Sequence, residues 1–293
     1  MSLIQNRRGA IKNILVGSAA VAVGNTSSIA SSYHKEEKLK GNINHAVSRW
    51  IMDDLSLEDL CKAVKKIGFS AIDLVGPKDW PTLQKHDIYS SMCYTAGDNN
   101  LYKGLNNPAY HENLIKEYLE TIPIMAKAGY RNLICFSGAA NGLDDETGMK
   151  NCQAALEKIL PFAEKNNVTM VMELLNSKID HKDYQCNRVE WGAELCKRIG
   201  SDNFKLLFDI YHMQIQEGDI IRNITDYHQY IAHYHTGGVP GRHEIDNTQE
   251  LYYPAVMQAI VKTGFKGYVA QEFVPSWSDK LASLKKCIEI CDV

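Results

Sequence analysis

The chain has 293 residues, 45% of them hydrophobic and 23% charged, with a formal net charge of −3. That length supports one large core or two modest ones, and about 250 residues is the usual size of a (β/α)₈ barrel. Residues 1–30 hold Arg7, Arg8 and Lys12 and no acid, which leaves −6 on the remainder and argues against a nucleic-acid partner.

At the N-terminus, Asn6-Arg-Arg-Gly-Ala-Ile-Lys12 leads into an Ala/Gly/Val-rich run, Asn13–Gly24, that is too short to span a bilayer. The small-residue exit Ser28-Ile-Ala30 completes the pattern of an export signal, assigned to residues 1–32. Its paired arginines resemble the twin-arginine signal, which implies export of an already folded protein to the periplasm. A mobile basic arm is the plainer alternative. Residues 33–42, rich in Lys and Glu, read as a solvated linker, and residues 43–293 as one domain with no stable membrane span. The eight cysteines, from Cys61 to Cys291, show neither disulfide-type pairing nor zinc spacing, and read as small core hydrophobes.

In chain order, Ile43–Val47 is the first expected strand. Ser56 then offers an N-cap with Asp59 three residues on; Leu57, Leu60, Cys61, Val64 and Ile67 recur at helical spacing, and Gly68 closes the helix. Ala71–Val75 and Ile88–Tyr94 are strands two and three. A helix covers about Glu112–Lys127, with Pro123 inside it, and Asn132–Phe136 is strand four. Helical spacing from Met149 to Ala163 leads to the strand Val168–Glu173. Phe204–Asp209, Tyr230–His235 and Gly267–Glu272 follow, separated by helices near Asp219–Tyr227 and Leu251–Lys262, and Ser276–Cys291 closes the chain as a helix.

Eight strands alternate with helices and no Pro/Gly/Ser-rich linker divides them. The expected architecture is a single-domain (β/α)₈ TIM barrel. Gly68, Gly129, Gly200 and Gly264 each precede an even-numbered strand, a faint repeat of two βα units. Links from helix to strand are tight, whereas Thr95–Pro108, Leu175–Cys186 and Gly237–Glu250 are long strand-to-helix links. A barrel builds its site from those loops, at the C-terminal rim.

Four of the strands end on Glu173, Asp209, His235 and Glu272, about one βα unit apart. Two Glu, one Asp and one His form an oxygen-rich set suited to one divalent ion such as Mn²⁺, Mg²⁺, Co²⁺ or Zn²⁺. Asp209 alone can equally be a turn cap. His233 and His235 share a face, and His235 lies nearer the rim, so His235 is the expected ligand and His233 a packing or supporting residue. His212, just beyond Asp209, is within reach of a substrate oxygen or of the ion's outer shell. Glu173 and Glu272, on separate strands, can flank a small ligand; one removes a proton α to a carbonyl and the other returns it.

Glu173-Leu-Leu-Asn176, Asp209-Ile-Tyr-His-Met-Gln214, His233-Tyr-His-Thr-Gly-Gly-Val-Pro-Gly-Arg242-His-Glu244 and Gln271-Glu272-Phe273 resemble the hydroxypyruvate isomerase family, one of the xylose-isomerase-like barrels, which also include ketose 3-epimerases. The resemblance runs from about Ile43 to the C-terminus. It implies that Glu173, Asp209, His235 and Glu272 bind the ion, that Glu173 and Glu272 also move protons, and that His212 and Arg242 hold substrate oxygens. Four features depart from hydroxypyruvate isomerases. His235 stands where those enzymes usually have Gln and the epimerases have His; the loop after strand three has Lys103 but no Arg; Asp73 replaces a more usual Glu on strand two; and the loop after it, Gly76-Pro-Lys-Asp-Trp80, differs too. These changes are expected to touch the pocket wall.

The expected activity is therefore a metal-dependent isomerase or epimerase acting on a small sugar or hydroxy-keto acid through an enediolate. Homo-oligomerisation is left open. The rival readings are a non-catalytic exported sugar-binding barrel and, less favoured, a metal-dependent phosphodiesterase of the same superfamily.

Overall fold

A computed structural model of the chain describes residues 38–293. The export signal expected over 1–32, and the linker as far as residue 37, lie outside the described residues. Leu39–Val293 forms one compact unit. At its start the Lys40 amide donates to Asp292 (2.9 Å), and Asn42 Nδ2 donates to the Val293 carbonyl (2.7 Å), so this end of the expected linker is tied to the C-terminus.

Eight parallel strands make one sheet: β1 (Asn44–Ser48), β2 (Ala71–Asp73), β3 (Tyr89–Ser90), β4 (Asn132–Cys135), β5 (Thr169–Glu173), β6 (Phe204–Asp209), β7 (Ile231–Thr236) and β8 (Tyr268–Gln271). Their order is β3-β2-β1-β8-β7-β6-β5-β4. Cys93 joins the two outer strands: its amide donates to the Asn132 carbonyl (2.8 Å), and its own carbonyl accepts from Ile134 (3.0 Å). The TIM barrel expected from the alternation is thus present.

The helices are α1 (Leu57–Ile67), α2 (Trp80–Lys85), α3 (His111–Lys127), α4 (Asp145–Lys165), α5 (Val189–Ile199), α6 (Ile210–Gln216), α7 (Ile220–Tyr227), α8 (Tyr253–Lys262) and α9 (Lys280–Cys291). The local signals behave as their chemistry requires. Ser56 Oγ accepts from the Asp59 amide (3.1 Å), an N-cap worth about 1 kcal/mol, and Gly68 ends α1 at φ 117°, a left-handed conformation that suits glycine. Leu60, Cys61 and Val64 bury the inner stripe of that helix. All eight cysteines are free and buried, as expected of core residues.

Most strand ends shift by about one residue from expectation, and three boundaries differ more. β2 stops at Asp73 because Leu74 adopts φ 56° and its amide turns to the Met92 carbonyl (2.9 Å). The third strand keeps ladder pairing only at Tyr89 and Ser90, then meets its neighbours again at Cys93. α9 begins at Lys280 rather than Ser276, because the Ser276 and Trp277 amides are held by the Glu244 carboxylate (2.8 and 3.2 Å).

Inside the barrel, Ala46, Ala71 and Ala270 pack together beside Tyr89 and Tyr268, whose rings stack at 5.6 Å. The opposite end carries the long loops and the polar side chains. No helix among the described residues is long and apolar enough to cross a membrane.

Candidate functional site

Alternation along the strands aims Val171 and Glu173, Leu207 and Asp209, His233 and His235, and Ala270 and Glu272 into the barrel in pairs, with the polar member nearer the rim. Asp209 pairs in register with His235, and a register shift between Leu206 and Leu207 accommodates an extra residue of β7, which sets the two histidines against Leu207 and Asp209. One ligand atom from each of Glu173, Asp209, His235 and Glu272 lies within 4.8 Å of all the others, and all four residues are buried. The four chain-separated side chains read from the sequence are brought to one point.

Asp209 satisfies both readings of its position. Its Oδ1 accepts from the His212 amide (3.1 Å) and caps α6, while its buried Oδ2 has no hydrogen-bond partner. That second oxygen lies 3.8 Å from His235 Nδ1. Glu272 Oε2 is 2.8 Å from the same nitrogen, but the approach is not aligned for a hydrogen bond, and Nδ1 is left without a partner. The approach is a charge contact. Glu173 Oε1 stands 3.4 Å from it.

Beneath this layer lies Asp73, fully buried on β2. Its Oδ2 faces His235 Nε2 at 2.7 Å and His233 Nε2 at 2.9 Å, and its Oδ1 accepts from Ser91 Oγ at 2.8 Å. The carboxylate fixes the His235 ring through its far nitrogen and turns Nδ1 toward the carboxylate cluster. Asp73 therefore does not line the pocket wall, as expected from the sequence, but supports the site from below. His233 takes the supporting role expected for it.

Arg242 reaches the cluster from the loop after β7. Its Nη2 donates to Glu272 Oε2 (2.7 Å) and lies 3.7 Å from Asp209 Oδ2. The guanidinium lies 5.2 Å from the Trp50 ring and 5.3 Å from the Tyr211 ring, so two aromatic faces confine it. Trp50 also donates its indole N–H to Glu272 Oε1 (2.7 Å). Both oxygens of Glu272 are thus held by donors, whereas no hydrogen-bond donor holds the Glu173 carboxylate except through its contact with His235. His212 is buried against the cluster, with Nε2 unpartnered and 3.7 Å from Asp209 Oδ2.

The electrostatics follow from burying three acids together. Burial raises Glu173 and pushes Asp209 up to about 7. Burial would also raise Glu272, but the charges of His235 and Arg242 outweigh it and hold this carboxyl well below its usual range. Burial disfavours charge on His235 too, yet Glu272, Asp73 and Glu173 together keep it protonated. His212 is pushed well below its ordinary value by burial and by Arg242, which outweigh the opposing charge of Glu272, so it is neutral. The donor set fits a divalent cation. It is mainly carboxylate oxygen with one imidazole nitrogen, and two of its atoms, Asp209 Oδ2 and His235 Nδ1, are buried without partners.

Residues 61–287 match the family described as the xylose isomerase-like TIM barrel. The chain belongs to that family. A 2-oxo-tetronate isomerase from Cupriavidus necator is 35% identical over 128 residues, which cover 42% of this chain and 48%, about half, of that relative. A human protein provisionally named as a hydroxypyruvate isomerase is 30% identical over 245 residues, covering 77% of this chain and 87% of that protein. A solved structure of a family 2 AP endonuclease from Brucella melitensis superposes with a TM-score of 0.73 at 20% identity, over 83% of this chain and 96% of that one; it shows the fold.

Within this xylose isomerase-like barrel, two site residues were missed as supports of the cluster: Asp73, expected only at the pocket wall, and Trp50, given no role. Asp73 had a readable signal, since it too ends an apolar strand on an acid, as Glu173 and Asp209 do. Trp50 had none: it sits in the short 3₁₀ turn after β1, and only the closed barrel brings it to Glu272, 222 residues away.

Proposed function

We propose that this chain is an isomerase or epimerase that uses one divalent cation, Mn²⁺, Mg²⁺, Co²⁺ or Zn²⁺, to move a proton on a small sugar or hydroxy-keto acid. The observation that carries the reading is the convergence of Glu173, Asp209, His235 and Glu272 within 4.8 Å, with two buried atoms turned to the same point and lacking partners. The names of the two isomerase relatives support the reaction class.

Those four residues would hold the ion, which when bound supplies Lewis-acid polarisation of the substrate's oxygens. Its binding competes with the proton on His235, because the imidazole must be neutral to coordinate. Glu173 and Glu272 then act on carbon: one takes the proton α to the carbonyl, leaving an enediolate, and the other returns a proton at the neighbouring carbon or the opposite face. Their surroundings give them unequal proton affinities, raised for Glu173 by burial and lowered for Glu272 by His235 and Arg242. His212 and Arg242 hold the substrate's oxygens; the buried Arg242 Nε has no partner within the protein. Trp50 and Tyr211 keep the guanidinium in place and shield it from water.

Asp73, His233 and His235 also place one ligand atom each within 4.8 Å of one another, but the net charge of −6 outside residues 1–30 disfavours a phosphodiesterase acting on nucleic acid. With the twin-arginine-like signal, we extend the proposal to a sugar met outside the cytoplasm.

The test is a panel of ketoses, aldoses and hydroxy-keto acids incubated with metal-loaded protein in D₂O and read by NMR. Deuterium enters at the carbon next to the carbonyl of the true substrate, and Glu272→Gln abolishes that exchange while the fold persists. Binding of a sugar with no exchange at any carbon would favour the non-catalytic reading. Exchange retained in Glu272→Gln would remove that carboxylate from the mechanism.

A further inference from the structure

A neutral imidazole donates from one nitrogen and accepts at the other, and the partner of one decides what the other does. At His212 that partner is Asn176, the last residue of the Glu173-Leu-Leu-Asn176 stretch. Asn176 Oδ1 accepts from the backbone amides of Ile179 (3.0 Å) and Asp180 (3.1 Å). Backbone N–H groups can only donate, so the orientation of the amide is fixed. Its Nδ2 then has two hydrogens and two acceptors, Asp180 Oδ2 and His212 Nδ1, each at 2.6 Å. A donor facing Nδ1 requires a lone pair there.

We infer that Asn176 is a positioning residue that locks His212 as the Nε2–H tautomer, so that His212 meets a bound molecule as a hydrogen-bond donor to an oxygen and never as a base. The free Nε2 fits this role, being buried, unpartnered and beside Asp209. The identity of that oxygen, a carbonyl or enediolate oxygen of the substrate, rests on the proposed function; the tautomer does not. The lock also explains why a loop residue with its oxygen already committed to two amides is fully buried against a histidine. Turning the loop needs only Oδ1, which aspartate supplies equally well, so the lock and a merely structural role predict different outcomes.

The experiment is ¹⁵N NMR of histidine side chains in the full chain supplied with Mg²⁺, with the His212 signals assigned by their loss in His212→Gln. In the wild-type protein the lock places Nδ1 in the unprotonated range and Nε2 in the protonated range; a protonated Nδ1 would overturn it. The double exchange Asn176→Asp with Asp180→Asn conserves net charge and both backbone contacts but presents an acceptor to Nδ1. The two nitrogen signals should then swap, and kcat should fall about 10²–10³-fold, the scale of one lost donor to a developing oxyanion, with a smaller change in KM. Asp180→Asn alone should keep the wild-type pattern. An unswapped pattern in the folded double variant would overturn the lock; if that variant does not fold, the wild-type spectrum decides alone. The expected wild-type tautomer in a protein that turns over no compound of the panel would sink the isomerase reading and leave the lock standing.

Discussion

The two halves of the barrel are built differently. β5, β6, β7 and β8 run four to six residues each, pair side by side with one register shift between β6 and β7, and carry Glu173, Asp209, His235 and Glu272 at or just beyond their ends. β2 and β3 have only three and two residues, and the ring closes on this side through the single residue Cys93. The first half holds charge at a fixed point; the second holds up the first. Asp73 from β2 orients His235, and Trp50 from the turn after β1 holds Glu272. Rigid neighbouring strands suit a site whose geometry must be kept within tenths of an ångström, and support can come from further away because one aligned hydrogen bond suffices.

That division is open to test, and the largest effect belongs to the ligand half. Glu272→Gln keeps the shape of the side chain but removes both the charge and the proposed base, and deuterium exchange should drop by at least about 10³-fold. A comparable loss from a change in the supporting half would erase the distinction.

Next comes Asp73→Ala, which strips a fully buried acceptor from two imidazoles. Removing one member of such a buried group costs about 3–5 kcal/mol of stability, and losing an outer partner of a metal-binding histidine costs about 10–100-fold in metal affinity. Urea unfolding and a Mn²⁺ titration check the two figures. A stable variant with undiminished affinity would show that His235 needs no support from below.

His45 on β1 provides a third probe, confined to the supporting half. It is buried edge-on to Phe69, neither ring nitrogen has a partner, and burial pulls it from 6.5 to about 4 despite the opposing charge of Asp292. Its folded value lies below its unfolded one, so the unfolded chain binds the extra proton, and the stability present at neutral pH is lost as pH falls from about 6.5 toward 4. The loss attributable to this group is up to about 3 kcal/mol. It is read as the difference in urea stability between pH 7 and pH 4.5 for wild type against His45→Leu. Equal pH dependence in the two proteins would contradict it.

The smallest effect is expected for Trp50→Phe, which keeps an aromatic face near Arg242 but removes the N–H held by Glu272. Loss of one hydrogen bond to a charged group should weaken Mn²⁺ binding about tenfold. No change would mean that Arg242 alone holds Glu272.

The same contrast explains what the sequence made legible. Strands of the ligand half are apolar runs that stop at a chemically active residue, so Glu173, Asp209, His235 and Glu272 could be read together, and their near-even spacing already implied a common rim. Asp209 even carried both of its roles in its position, as a cap and as a cluster member. The supporting half gave weaker signals because its contacts are set by ring closure. Asp73 meets His235 across 162 residues, and Trp50 meets Glu272 across 222. Asn176 lay inside a recognisable motif, yet its role depends on which of its amide atoms faces which partner, and no one-dimensional pattern records that.

The central claim is that four side chains share one cation, and its most direct test is an equilibrium titration of metal-free protein with Mn²⁺, following free Mn²⁺ by its magnetic resonance signal. The account predicts one tightly bound ion per chain in the wild-type protein and loss of that binding in His235→Ala. A wild-type protein that takes up no ion, or a His235→Ala variant that binds as tightly as its parent, would contradict it.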